Sequence, residues 1–233
     1  MDPDVRVAAI IPAFNEAGTV RGVVEVARSA ACIDEVLVVD NASEDDTGRV
    51  AAAAGARVVH CARKGKGQAM RAGVEFTDAQ IICFLDADLL NLTTDMVDRL
   101  VEPVRAGQAA MTMCLFDRGP EMNPVFLNVL PKLTGQRAMR RELFAALSPH
   151  DIKGYKVEAA LNSLVEERGL PTEAFVGEGL WHRTKEEKMD NPVVGHTRKV
   201  AMLGTAVWSY ISYAAVRPVR EKLAGARGDR TSV

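Results

Sequence analysis

The sequence predicts an α/β fold: a mostly parallel sheet flanked by helices, with a helical C-terminal segment. Three observations carry this. Short apolar runs recur at residues 5–11, 36–39, 81–85 and 109–115, with a shorter strand at 57–60. Segments with helical spacing separate them. The runs are continuous rather than alternating, as strands covered on both faces require.

Residues 5–11 form the first strand, bounded by Pro12, and residues 19–31 the helix that follows. Residues 36–39 are the second strand and end at Asp40. Residues 45–54 are helical, with an alanine run and Gly55 as the C-cap. A short strand at 57–60, a helix at 67–76 and a fourth strand at 81–85 lead into Asp86-Ala87-Asp88. A helix over 93–105 takes Thr93 or Thr94 as N-cap, and residues 109–115 are the fifth strand. Beyond it, residues 117–132 carry three prolines and Gly119 and read as a long loop. Residues 136–147 read as an Arg-rich helix, 157–168 as an amphipathic one, 172–182 as a further strand and 197 onward as the last helix.

Composition excludes several classes. A net charge of −2 argues against a protein built to hold nucleic acid, and aromatic residues at 5% weaken base stacking. Cys32, Cys61, Cys83 and Cys114 form no C-x-x-C pair, so a zinc knuckle is not expected. The acidic start Met1-Asp2-Pro3-Asp4 lacks signal-peptide character, and a cytoplasmic setting is expected. Residues 200–216 carry no charge and are flanked by Arg198, Lys199, Arg217 and Arg220. A core or dimer-interface helix, an interfacial helix and, least of all, a spanning one compete for that segment.

In a parallel sheet ligands collect at the carboxyl ends of the strands. Four polar clusters lie at those ends: Asn15-Glu16, Asp40-Asn41, residues 63–66 and Asp86/Asp88. The two aspartates can direct oxygens at one hard cation, Mg²⁺ or Mn²⁺, which shares them with ligand phosphates. The plain alternative is a strand-end turn with Asp88 capping a local amide. Arg63-Lys64-Gly65-Lys66-Gly67 opens a helix with glycines, free N–H groups and lysines, as a diphosphate requires; a solvated basic loop is the alternative. Asp40 is placed for a ribose hydroxyl or base N–H, or as an N-cap, a role Ser43 also fits. Glu16 faces the same choice between the site and a helix N-terminus.

The segments Ile11-Pro12-Ala13-Phe14-Asn15-Glu16, residues 38–47, Lys64-Gly65-Lys66-Gly67 and Leu85-Asp86-Ala87-Asp88-Leu89 resemble the successive motifs of family 2-type glycosyltransferases with the GT-A (Rossmann-like) fold. A second resemblance, to glucosyl-3-phosphoglycerate synthases and mannosyl-3-phosphoglycerate synthase-like enzymes, rests on residues 133–138, 154–158 and 179–183. It departs from the closest family form at Gln136, which is inserted in the acceptor motif, and the chain is shorter than those enzymes usually are. Together the resemblances imply a nucleotide-sugar (donor) half over 1–115 and an acceptor half over 116–199; the residues themselves add an apolar C-terminal helix over 200–225, a departure from those enzymes, and a tail over 226–233. Pro12, Ala13, Phe14 and Glu16 would border the nucleoside, and Asn41 would replace a serine near the base. Lys66 would bind diphosphate beside Asp86 and Ala87, and Asp88 would ligate the metal with Asp86 assisting. His182 would be the third metal ligand, with His196 as competitor. Gly135 and Arg137 would meet the acceptor's anionic group, and Glu158 its hydroxyl.

The implied activity is metal-dependent transfer of a sugar from a UDP- or GDP-sugar to a phosphorylated small acceptor such as 3-phosphoglycerate. The expected partners are that donor and acceptor, no nucleic acid, and a second copy in a homodimer. An acceptor of polyprenyl-phosphate type, with peripheral contact at the inner membrane face, is the first alternative. A sugar-phosphate nucleotidyltransferase and a non-catalytic nucleotide-sugar binder are the others.

Overall fold

The computed structural model describes residues 5–128, 132, 134–152 and 156–182. The expectations for His196 and residues 197–233, and for Leu133, Gly154, Tyr155 and Arg183, lie outside those residues. The elements run β1 Val7–Ala13, α1 Val20–Ser29, β2 Glu35–Asp40, α2 Thr47–Ala53, β3 Arg57–His60, α3 Lys66–Glu75 and β4 Ile81–Phe84. There follow β5 Leu89–Leu90, α4 Thr94–Arg105, β6 Met111–Leu115, α5 Asn123–Asn128, β7 Arg137–Arg140, α6 Arg141–Ala145, α7 Lys156–Glu167, β8 Thr172–Val176 and β9 Trp181–His182.

A seven-stranded sheet has the order β3-β2-β1-β4-β7-β6-β8, parallel throughout except for β7. The continuous apolar runs now have a physical cause. Along β1, Val7, Ala9, Ile11 and Ala13 pack into one core with α1, α2 and α4, while Ala8 and Ile10 pack into a second with α3, α6 and α7. Alternate side chains point to opposite faces, and helices cover both. Thr93 caps α4 by accepting a hydrogen bond from Met96 N–H, 3.3 Å long. Cys83 and Cys114 are buried strand thiols, each pushed up to about 12 by burial.

Four expectations change. Residues 137–140 are a strand, not the start of an Arg-rich helix: β7 fills the gap between β4 and β6, antiparallel to both, and only α6 of that helix remains. Arg137, Ala138 and Met139 are all fully buried, as a strand held between two others requires. The segment 172–182 is two strands, because Gly177 and Gly179 turn the chain between β8 and β9. The loop after β6 contains the short α5. Pro12 lies inside β1, opposite Val39, rather than beyond it.

Candidate active site

The carboxyl ends of β1, β2, β3 and β4 share one rim, and the polar clusters cross-link there. At the end of β1, Asn15 adopts a left-handed φ of 56°. Its N–H donates to Ser43 Oγ (3.0 Å) and its Oδ1 accepts from Glu44 N–H (2.8 Å). Glu16 N–H donates to Thr47 Oγ1 (2.8 Å), and Thr19 Oγ1 donates to Glu16 Oε2 (3.0 Å). Phe14 projects beyond the strand, 45% exposed, with Lys64 Nζ 5.2 Å from its ring centre. An exposed aromatic face beside a cation is suited to a nucleobase. Pro12 and Ala13 supply the strand end beneath it.

Asp40 and Asn41 are both engaged within the rim itself. Asp40 is buried; its Oδ1 accepts from Ser43 N–H (3.0 Å) and its Oδ2 lies 3.3 Å from His60 Nδ1. Asn41 is a buried brace. Its Nδ2 donates to the carbonyls of Cys61 (3.1 Å) and Arg63 (2.7 Å), and its Oδ1 accepts from Gly65 N–H (2.6 Å). Three of its four hydrogen-bonding positions hold the basic loop in shape.

The loop ends at Gly65, whose φ of 129° needs a glycine, and Lys66 begins α3. Lys66 Nζ lies 2.7 Å from Asp86 Oδ1 and 3.1 Å from Glu158 Oε1. Burial alone would lower the lysine, but the two carboxylates outweigh it and hold its proton more tightly than usual. A fixed cation thus stands beside the acidic pair.

Asp86, Ala87 and Asp88 follow β4 directly. Asp88 is pushed up to about 6, first by burial and then by the like charges of Asp86 and Glu16. Pairing of β5 with β9 sets His182 opposite Leu89, one residue from Asp88. Among the described residues no three or more His, Cys, Asp or Glu side chains converge on a metal-holding position. The residues still fit a hard cation that retains waters and takes part of its oxygen shell from a ligand's phosphates. The repulsion among Asp86, Asp88 and Glu16 is what such a charge would relieve.

Gly135 passes so close to this pair that a Cβ would fall under 3.0 Å from both carboxylate oxygens of Asp86 and from Lys66 Nζ. Glu158, on α7, is buried, and among the described residues its Oε2 has no hydrogen-bond partner. Arg137 departs from its expected role. Its guanidinium is fully buried and donates to Thr134 O (3.1 Å from Nε), Asn162 Oδ1 (3.3 Å) and Glu158 O (3.5 Å). Burial pushes it down to about 10. It ties β7 to α7 and the preceding loop instead of facing an acceptor.

The sequence reasoning missed Thr134 and Gln136 as parts of the site. Both are buried, and Gln136 Nε2 donates to Asp86 Oδ2 (2.7 Å). The Gln136–Asp86 contact spans 50 residues of chain, and only the insertion of β7 beside β4 brings the two together.

The glycosyl transferase family 2 profile matches residues 8–154. The chain belongs to this family. Glucosyl-3-phosphoglycerate synthase of Mycobacterium tuberculosis is 32% identical over 156 residues, covering 61% of this chain and 48% of that protein. Glycosyltransferase AglJ of Haloferax volcanii is 33% identical over 152 residues, covering 65% of this chain and 48% of that one. The chain therefore spans about half the length of these curated relatives. A crystal structure of the M. tuberculosis synthase in complex with Mn²⁺, uridine diphosphate and phosphoglyceric acid superposes with a TM-score of 0.71. The two are 28% identical, over 92% of this chain and 78% of that one. The family match takes in Pro12, Lys66, Asp86, Asp88 and Gln136; Glu158 and His182 lie beyond it.

Proposed function

We propose that this family 2 member transfers a sugar from a nucleoside diphosphate sugar to a phosphorylated small acceptor, with Mg²⁺ or Mn²⁺ bound at Asp88. The single observation that carries the reading is the Lys66 ammonium fixed between Asp86 and Glu158, on the rim that also bears Asp88 and Glu16. A cation site, a lysine and an exposed aromatic face together match a divalent metal, a diphosphate and a base. Similarity to a synthase crystallised with Mn²⁺, UDP-glucose and phosphoglyceric acid supports UDP-glucose as donor and 3-phosphoglycerate as acceptor.

In this reading Asp88 would hold the cation directly, with Asp86 assisting and His182 as the third ligand. Bound there, the cation would supply Lewis acidity that neutralises charge on the leaving diphosphate. Lys66 donates to the same diphosphate, and Phe14, with Pro12, Ala13 and Glu16, borders the nucleoside. The acceptor oxygen bonds to the anomeric carbon as the bond from that carbon to the diphosphate oxygen breaks. The diphosphate leaves with the electron pair. In an inverting reaction Glu158 Oε2 takes the acceptor's hydroxyl proton. In a retaining one Glu158 orients that hydroxyl and offsets positive charge at the sugar, and the hydroxyl proton passes to the departing diphosphate oxygen. Gly135, whose missing Cβ lets Lys66 and Asp86 approach, lies beside the lysine on the side assigned to the acceptor's anionic group.

Incubation with UDP- and GDP-sugars, with Mg²⁺ or Mn²⁺, tests the class and identifies the donor together. Release of nucleoside diphosphate is expected with one sugar nucleotide and is abolished by chelation. Pyrophosphate release from a nucleoside triphosphate plus a sugar phosphate would instead favour a nucleotidyltransferase.

The uncharged segment 200–216 favours a second reading, in which the acceptor is a polyprenyl phosphate at a membrane surface. No helix among the described residues is long and apolar enough to cross a membrane. Flotation of the whole chain with anionic liposomes separates the readings, since firm lipid binding counts against a freely diffusing acceptor. Sedimentation of the same sample tests the expected homodimer.

A further inference from the structure

Gln136 is fully buried, with its amide on Asp86 rather than on solvent. Its Nε2 donates to Asp86 Oδ2 at 2.7 Å, while Lys66 takes Oδ1 at 2.7 Å. A carboxylate attracts N–H and repels C=O, so this contact fixes which way the amide faces. Gln136 Oε1 is then turned to Thr134 Oγ1, with which it forms a short hydrogen bond. Thr134 is itself buried and anchored: its Oγ1 lies 2.7 Å from Cys114 O, and the hydroxyl's single proton serves one of these two carbonyl oxygens at a time. Cys114 N–H donates to Gln136 O (3.0 Å), so the backbone of residue 136 is held by β6 as well. The relay runs from the end of β6 through Thr134 and Gln136 to Asp86. Both oxygens of Asp86 are thereby engaged, whereas Asp88, two residues on, has neither Lys66 nor Gln136 as a hydrogen-bonding partner.

We propose that Gln136 is a positioning residue for the cation site, with Thr134 behind it. By holding Asp86 Oδ2, Gln136 keeps that carboxylate rotated toward Lys66 and leaves Asp88 as the direct metal ligand. The proposal rests on the metal-dependent reading above. Partners that orient metal-site carboxylates typically change metal affinity by about 10–100-fold when removed. Gln136→Met keeps the side chain's length and removes both amide groups; Thr134→Val removes the hydroxyl behind it, and Thr134→Ser restores it.

The test is Mn²⁺ titration followed by electron paramagnetic resonance, on the full chain with saturating UDP, beside thermal melting without metal. Gln136→Met is expected to weaken Mn²⁺ binding about tenfold or more, Thr134→Val to weaken it less, and Thr134→Ser to match the parent. A merely structural role would lower the melting temperature and leave the Mn²⁺ affinity of the folded fraction unchanged. If Gln136→Met fails to fold, the valine and serine pair decides alone. Parent-like Mn²⁺ affinity in Thr134→Val and in any folded Gln136→Met overturns the role of Gln136, provided that the parent binds Mn²⁺ and Asp88→Asn does not. No Mn²⁺ binding by the parent overturns the metal-dependent reading together with this one.

Discussion

Lys66 Nζ lies 2.7 Å from Asp86 Oδ1, so the lysine proposed for the diphosphate and a carboxylate proposed for the cation form one ion pair. The pair places a positive and a negative group for the same ligand within reach of each other. It also links α3 to the end of β4, and Glu158 extends the link to α7.

Lys66→Met is the direct test of that link. Loss of charge-assisted hydrogen bonds worth about 1.5–3 kcal/mol should weaken UDP binding roughly 10–150-fold by calorimetry. Glu158, only 8% exposed, is left with a buried charge and no partner, so the melting temperature should fall as well. UDP affinity within twofold of the parent would remove Lys66 from the donor site.

Asp88→Asn should separate activity from stability. Donor turnover with Mg²⁺ or Mn²⁺ should fall more than about a hundredfold, because stabilisation of the leaving group is worth several kcal/mol. Without metal the variant should melt at or above the parent temperature, since a partly buried charge repelled by Asp86 and Glu16 has been neutralised. A large fall in melting temperature would show instead that Asp88 is a structural cap.

Gly135→Ala should act through crowding, because the added Cβ meets Asp86 and Lys66. Overpacking of this kind costs about 1–3 kcal/mol. Chemical denaturation should report that loss, and UDP should bind more weakly as the Lys66–Asp86 pair is pushed apart. Parent-like values for both would mean that the loop shifts without cost.

Asp117 offers a pH test. Its carboxylate accepts hydrogen bonds from Asn123 Nδ2, Gly179 N–H and Gly119 N–H, each 2.9 Å, and these hold it down to about 2. A depressed carboxyl stabilises the fold fully above its ordinary value near 4 and loses that contribution as pH falls through about 2. The amide resonances of Gly119 and Gly179 should therefore titrate near pH 2. A midpoint near 4 would show that the tie between the β6 loop and the turn before His182 does not persist in solution.

The donor side was legible from the residues because its signals are local. Each cluster follows a continuous apolar run, and parallel strands bring their carboxyl ends to one rim whatever their order. Lys66 and Asp86 could thus be assigned together without knowing that they touch. His182 and Glu158 needed the resemblance, since a lone histidine or glutamate carries no spacing of its own.

The acceptor side was less legible because its contacts are long-range. By sequence Arg137 falls in an Arg-rich helix and, by the resemblance, at the acceptor's anionic group; the structure buries it in a strand, where Thr134 O and Asn162 Oδ1 accept from it. Asn41 looked like a ligand contact and is the brace of the basic loop.

The sequence by itself determined the alternation of strands and helices, the common rim and the chemistry gathered there, because hydrophobic periodicity and strand-end polarity are written in neighbouring residues. Only the tertiary structure decided that β7 enters the sheet between β4 and β6, and therefore that Gly135 and Gln136 reach Asp86. Antiparallel insertion of a short strand depends on which buried edges remain to be filled, and no local pattern encodes that.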